Sequence, residues 1–316
     1  MKILLTCPPM LRAVDRFRDR FAALGYELTT PDVPQILPEE ELIELVPQFD
    51  GWIIGDDPAT ARVFEAGKAG RLKAAVKWGV GVDNVDFAAC KRLGIPITNT
   101  PGMFGREVAD MAMGYVIALA RELFAVHAGI RAGGWPKPPG ISLAGKTVAL
   151  AGFGDIGRNT ARRLLASEMR VVAYDPYFKP AEGLEAVENA AWPDRLEEAD
   201  FIVLTCALTP ENRHMLGAAA LGKVKPGVRV VNVARGPLVD EAALSAALAD
   251  GRVRSAALDV FEVEPLPMNS PLRAFDQCLF GSHNGSNTID AVVRTSERAI
   301  DLLDGFLKAL PAEVAS

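Results

Sequence analysis

His283 lies in the stretch FGSHNGSNT, among small polar residues whose backbone bends easily and can approach another group closely. The segment before it, SAALDVFEVEPLP, carries Asp259, Glu262 and Glu264, and Pro265 holds the backbone of Glu264 extended. A histidine beside a carboxylate stays protonated above its reference value of about 6.5. Such an imidazolium can donate to a carbonyl oxygen while a hydride arrives at carbon. In reverse, the neutral ring takes a hydroxyl proton. Arg235, where VRVVNVA runs into ARGPLVDEAAL, adds a planar fork suited to a carboxylate or an adjacent carbonyl oxygen. The alternative for a lone arginine is a turn cap or a surface ion pair.

A hydride needs a carrier. TVALAGFGDIGRNTARRLL holds G-x-G-x-x-G at Gly152, Gly154 and Gly157, after an apolar run and at the opening of a helical one. The first glycine suits a tight turn, the second a close approach to a pyrophosphate, and the third the packing of helix on strand. The helix start offers unpaired N–H groups and a positive dipole end. RVVAYD then ends in Asp175, placed to accept both ribose hydroxyls of an adenosine and to repel a 2′-phosphate, so NAD is expected over NADP. A flavin or S-adenosylmethionine site, or a purely structural turn, is the competing reading. His127 and His214, the other two histidines, read as packing or surface residues.

These residues need a scaffold that presents strand ends. KILLT, ELTTP, GWIIG, AAVKWG and IPITN alternate with helix-like LRAVDRFRDRFAALG, EEELIELVPQF and DFAACKRLG, which implies a parallel, doubly wound sheet. A long helix is expected from about Asn99 to Arg121, then a loop, AGGWPKPPGISLAGK. A second alternation follows, with five strands at TVALAGFG, RVVAYD, DFIVLTCAL, VRVVNVA and SAALDVF and helices between them. TIDAVVRTSERAIDLLDGFLKAL forms a final helix, with no room expected after it for a regulatory domain.

With 316 residues, 49% hydrophobic, the chain is long enough for two domains with sizeable cores. A net charge of −6 argues against a nucleic-acid partner, which would need a basic face. No apolar run reaches the length of a membrane span, and MKILLTCPPM is too short for a signal peptide. The four scattered cysteines lack metal-ligand spacing and read as free thiols of a cytoplasmic protein.

Taken in order, GFGDIG with Asp175, VNVARGPLVDEAAL, DVFEVEP and the final His-bearing loop resemble the D-isomer-specific 2-hydroxyacid dehydrogenases, phosphoglycerate dehydrogenases among them. KWGVGVDNVD (Lys77 to Asp86) and ITNTPG (Ile97 to Gly102) resemble segments of that family too. The resemblance implies an α/β protein of two doubly wound domains: a Rossmann NAD-binding domain over 100–284, and a flavodoxin-like substrate domain over 1–99 and 285–316. It implies Arg235 on the substrate carboxylate and keto oxygen, and His283 as acid/base with Glu264 orienting it. Backbone N–H groups of Gly79, Val80 and Gly81 would also hold the carboxylate. Asp155 and Ile156 would meet the pyrophosphate, Asp175 the ribose, and Ala207, Val233 and Asp259 would line the cofactor, Asp259 at its carboxamide. Such enzymes close a cleft between domains and work as homodimers, with the segment around Trp135 between subunits.

Several positions depart from the family pattern. Ser282 replaces the usual proline before the histidine; the amides that follow would contact substrate or cap the next helix at Asn287 or Thr288. Phe104 and Gly105 stand where Asn-Ser is frequent, and Asp110 where Glu is. Phosphoglycerate dehydrogenases carry arginines where this chain has Asp56-Asp57, which argues against a phosphorylated substrate unless Arg62, Lys77 or Arg106 compensates; a solvated turn is the plainer reading. The alternatives to an NAD-dependent dehydrogenase are a non-catalytic NADH-sensing corepressor and an enzyme for formate or phosphite. Formate-type members have Gln where this chain has Glu264.

Overall fold

Every run read as a strand in the first third becomes one: β1 (Lys2–Leu5), β2 (Glu27–Thr29), β3 (Gly51–Ile54), β4 (Ala74–Lys77) and β5 (Ile97–Asn99). They form one parallel sheet in the order β2-β1-β3-β4-β5, which is the flavodoxin-like winding. β3 and β4 are buried throughout, as strands covered on both faces must be. In this computed structural model, which describes residues 1–309, these strands belong to a unit made of Met1–Phe104 and the segment from Asn287 onward.

Gly105–Ser286 forms the second unit around a seven-stranded sheet. Its strands are β6 (Thr147–Ala151), β7 (Arg170–Tyr174), β8 (Glu188–Asn189), β9 (Phe201–Leu204), β10 (Val228–Asn232), β11 (Val253–Leu258) and β12 (Cys278–Phe280). All pairings are parallel, in the order β12-β11-β10-β9-β6-β7-β8. The winding reverses between β6 and β9, the place where ligands bind in open α/β sheets. A core of Val172, Ile202, Leu204, Val230, Leu244 and Leu258 packs one face.

The sequence reading differs from the fold in four places. LRAVDRFRDRFAALG forms two short helices, Pro8–Arg12 and Arg18–Ala23, joined by a 3-10 turn at Val14–Arg16 that buries no residue, so no packing holds the turn in a continuous helix. The long connector starts at Gly105 rather than Asn99, because Pro101 and Gly102, at φ +72°, break it. Between β7 and β9 there is no α-helix. That stretch holds β8 and a 3-10 turn at Leu196–Glu198, and Pro176, Pro180 and Pro193 remove donors that a helix would need. β8 and β12 are edge strands of two and three residues, too short to show alternation. The final helix runs Ile289–Ala309; Leu310, its expected last residue, lies outside the described residues. Among the described residues no single helix is long and apolar enough to cross a membrane.

Candidate active site

The glycine loop leaves β6 at the switch point and enters the helix Asp155–Ala166. Gly152 has φ +94°, and a Cβ there would lie 2.7 Å from the backbone of Cys206. A Cβ on Gly157 would lie 2.1 Å from the Gly152 carbonyl oxygen. Packing within the protein therefore explains both glycines. Gly154 is different: a Cβ there meets nothing within 4 Å. Its smallness leaves open space at a helix N-terminus, the geometry that admits a phosphate. Asp175, directly after β7, accepts the Phe153 N–H at 2.6 Å and the Tyr177 N–H at 2.8 Å, which ties the carboxylate to the loop. These residues fit a dinucleotide.

Asp155 is exposed in the first turn of that helix and Ile156 half-buried, while Ala207 and Val233 lie just beyond β9 and β10. A Cβ on Gly105 would fall 2.3 Å from the Asp155 carboxylate, so a serine there would need that exposed side chain to swing aside. Asp110 pairs with Arg163 at 2.6 Å.

Arg235 follows β10, Glu264 follows β11 and His283 follows β12, three adjacent strands of one sheet. His283 Nδ1 lies 2.8 Å from Glu264 Oε2. The other carboxylate oxygen, Oε1, accepts the Phe261 N–H at 3.0 Å, which fixes the group's rotation. With Nδ1 engaged by Glu264, Nε2 is the ring nitrogen on the far side from that carboxylate. The Arg235 guanidinium donates to the Ala234 carbonyl at 2.8 Å. A Cβ on Gly236 would lie 1.8 Å from the Phe261 carbonyl carbon, so the Arg235 and Glu264 segments touch backbone to backbone.

His283 adopts φ +55°, left-handed for a non-glycine residue. Asp259 holds it there. The Asp259 carbonyl accepts the His283 N–H at 2.6 Å, and its carboxylate accepts the N–H groups of Asn284 at 3.2 Å and Gly285 at 2.8 Å. The Tyr115 hydroxyl donates to the same carboxylate at 3.3 Å. Burial, with that carboxylate beside it, pushes the Tyr115 hydroxyl above the usual phenol range. Asp259 is 2% exposed, and three of a carboxylate's roughly four acceptor sites are taken. The following helix is capped by Thr288, whose Oγ1 accepts the Ala291 N–H at 3.1 Å.

In the first unit, Gly79, Val80 and Gly81 follow β4. The Gly79 N–H donates to Thr100 Oγ1 at 2.8 Å, so that amide has a partner inside the fold. The N–H groups of Val80 and Gly81 make no hydrogen bond among the described residues. Lys77 is buried beneath this loop and donates to the Trp78 carbonyl at 3.0 Å and to Asp56 at 3.2 Å. Asp56 and Asp57 diverge. Asp57 is fully buried and accepts from the Thr6 hydroxyl, the Leu37 N–H at 2.9 Å and the Gly55 N–H at 3.2 Å. Burial pushes its carboxyl above the ordinary range despite these bonds. Only Asp56 faces outward, and it offsets Lys77. Arg62 is engaged by Glu39 and Glu40.

His127 is exposed on the helix Leu123–Arg131. His214 is not on a helix: it occupies a turn at φ +55° and meets Glu262. No sequence signal marked His214, Thr100 or Tyr115, because each acts through a partner far away in the chain. Among the described residues no three His, Cys, Asp or Glu side chains converge as metal ligands would.

Residues 113–285 match the family described as D-isomer specific 2-hydroxyacid dehydrogenase, NAD binding domain. Hydroxypyruvate reductase of Thermotoga maritima is 38% identical over 279 residues, 87% of this chain and 89% of that protein. D-3-phosphoglycerate dehydrogenase of Methanocaldococcus jannaschii is 37% identical over 273 residues, 84% of this chain but 51% of that protein, so the chain spans about half of that relative. The TT0316 protein of Thermus thermophilus superposes with a TM-score of 0.87 at 34% identity, covering 99% of both chains.

Proposed function

The chain belongs to the D-isomer-specific 2-hydroxyacid dehydrogenase family, an NAD-dependent class, and from that premise we propose that Arg235, Glu264 and His283 carry the interconversion of a D-2-hydroxy acid and its 2-keto acid. Bound NAD supplies the hydride acceptor, and NADH the donor. In reduction, His283 gives the Nε2 proton to the keto oxygen as that oxygen gains charge; in oxidation it takes the hydroxyl proton. Arg235 holds the substrate carboxylate and polarises the keto oxygen with its fork. Glu264 keeps the imidazole in one tautomer and stabilises the imidazolium. The observation that carries this reading is the 2.8 Å contact between His283 Nδ1 and Glu264 Oε2, with Arg235 on the neighbouring strand end.

The residues that would hold the dinucleotide are Gly154 with the amides of Asp155 and Ile156 for the pyrophosphate, and Asp175 for the ribose. Ala207 and Val233 would line it. Asp259 serves first to hold the His283 loop, and its remaining acceptor site is assigned to the carboxamide. In the first unit, the N–H groups of Val80 and Gly81 are assigned to the substrate carboxylate. The exposed Asp56 beside Lys77 leaves little net positive charge for a phosphate, which supports a small, unphosphorylated 2-keto acid of the hydroxypyruvate or glyoxylate kind. Leu123, Phe124, Ile130 and Trp135 are exposed apolar residues on one arm, which supports a homodimer joined there. The free cysteines suit the cytoplasm. Sedimentation of the wild type as a monomer would sink the dimer.

The test is NADH absorbance with a panel of 2-keto acids, wild type beside His283→Ala. Turnover should fall by about 10²–10⁴-fold in the variant while NADH binding persists. Fast reduction of 3-phosphohydroxypyruvate would overturn the substrate reading. NADH binding without any turnover would favour an NADH-sensing corepressor, and no NADH binding would defeat both.

A further inference from the structure

Glu262, two residues before Glu264, meets the histidine that the sequence left as packing or surface. His214 Nε2 lies 2.5 Å from Glu262 Oε1; both atoms are sealed from solvent and neither makes a hydrogen bond of regular geometry, so each is the other's polar neighbour through this charge contact. The backbone of His214 is anchored elsewhere. Its N–H donates to the Pro237 carbonyl at 2.8 Å, two residues beyond Arg235, and Leu216 N–H donates to the Leu238 carbonyl at 3.0 Å. Leu216 and Val239 form a parallel bridge. His214 is thus laced by its backbone to the chain leaving Arg235, and by its ring to the chain entering Glu264.

The same corner holds a third carboxylate. Glu262 N–H donates to Glu241 Oε1 at 2.8 Å, and burial, with Glu262 and Glu264 nearby, pushes the Glu241 carboxyl above its ordinary value. Three carboxylates therefore crowd the turn that aims Glu264, and imidazoles face two of them. Without its imidazole, Glu262 would swing and repel Glu264. His214 also keeps φ +55°, a backbone state that persists in a non-glycine residue only where the surroundings impose it.

We propose that His214 is a positioning residue for the reaction: paired with Glu262, it locks the Arg235 segment to the Phe261–Glu264 turn and so sets the aim of Glu264 at His283. The proposal rests on the roles assigned above to Arg235, Glu264 and His283. His214 acts through Glu262 and touches no reacting atom.

The test compares His214→Asn, which tolerates the left-handed backbone, with Glu262→Gln and the double variant. The readouts are kcat for 2-keto acid reduction, KM, NADH affinity by fluorescence and Tm. Each single variant should lose roughly 10–100-fold in kcat, as misaimed catalytic groups do, with NADH affinity held. The double variant should be no worse than the poorer single, since both cut one link. Singles within about twofold of wild type, or losses that multiply in the double, would overturn the proposal. Should His214→Asn melt early, Glu262→Gln decides by the same kcat criterion, because it keeps the shape of the turn. Wild type and His283→Ala run alongside: an inert wild type or an active His283→Ala defeats the catalytic reading itself. An active wild type, a dead His283→Ala and an unaffected His214→Asn defeat only the role of His214.

Discussion

Two glycine-bearing loops follow parallel strands in this chain, and they are held in opposite ways. In the loop after β12, the N–H groups of His283, Asn284 and Gly285 all donate to Asp259, so the backbone is consumed and one imidazole is the output. In the loop after β4, the N–H groups of Trp78 and Gly79 are spent on Ile54 and Thr100, those of Val80 and Gly81 make no hydrogen bond among the described residues, and Val80 stands 39% exposed. The first loop aims a side chain, while the second offers its amides. A proton donor must be held to within a fraction of an ångström, whereas a carboxylate meets backbone amides across a broader range of angles. On the proposed reading, the chemistry sits where the bonds are internal and the substrate carboxylate is met where they are open.

Cutting the two anchors should separate these roles. Asp259→Asn replaces one of the two oxygens that accept the Asn284 and Gly285 N–H groups with a donor, and kcat should fall about 100-fold as the imidazole loses its aim. Thr100→Val, which frees Gly79, should instead raise KM for the keto acid and leave kcat within a few-fold of wild type. If both variants change kcat alike, the comparison between the loops fails. The glycine loop offers a second contrast, read as stability against cofactor affinity. Gly157→Ala forces a methyl onto the Gly152 carbonyl and should cost about 1–3 kcal/mol of stability by thermal melting. Gly154→Ala, whose methyl meets nothing in the protein, should leave Tm near wild type and weaken NADH binding by calorimetry. Equal Tm losses would remove the argument that Gly154 is reserved for a ligand.

The smallest effect concerns Asp57, beside the open loop. Burial raises its folded-state value, so the stability it contributes is complete below its ordinary 3.8 and is lost as pH rises through the higher folded value. Asp57→Asn has no such dependence. It should cost about 1–3 kcal/mol through lost acceptors, with the gap from wild type narrowing as pH rises above 3.8. Paired melts across that range check it; a gap that widens with pH contradicts the sign.

Legibility in the sequence followed locality. The glycine spacing, Asp175 and both sheets could be read because each depends on neighbours within one strand-turn-helix. The pairing of Glu264 with His283 followed from the family resemblance, because Asp259, Glu262 and Glu264 all precede the histidine and residue type alone does not choose among them. His214 could not, since its meaning lies in Glu262, far along the chain. Asp56 and Asp57 read alike as a charged pair, yet the bend they form turns Asp57 inward onto Thr6, Leu37 and Gly55 and leaves Asp56 exposed. β8 is illegible because two residues carry no period.

The second unit is one uninterrupted run, Gly105–Ser286, while the first is made of two pieces on either side of it. In genetic terms the dinucleotide-binding unit is an insert and the other unit its host. The insert carries its own sheet together with Arg235, Glu264 and His283, so on the proposed reading a single exchange with two junctions would move the proton-transfer residues into a different host. The amides of Val80 and Gly81 would stay behind. Recombination between relatives would then trade substrate preference without rebuilding the reaction.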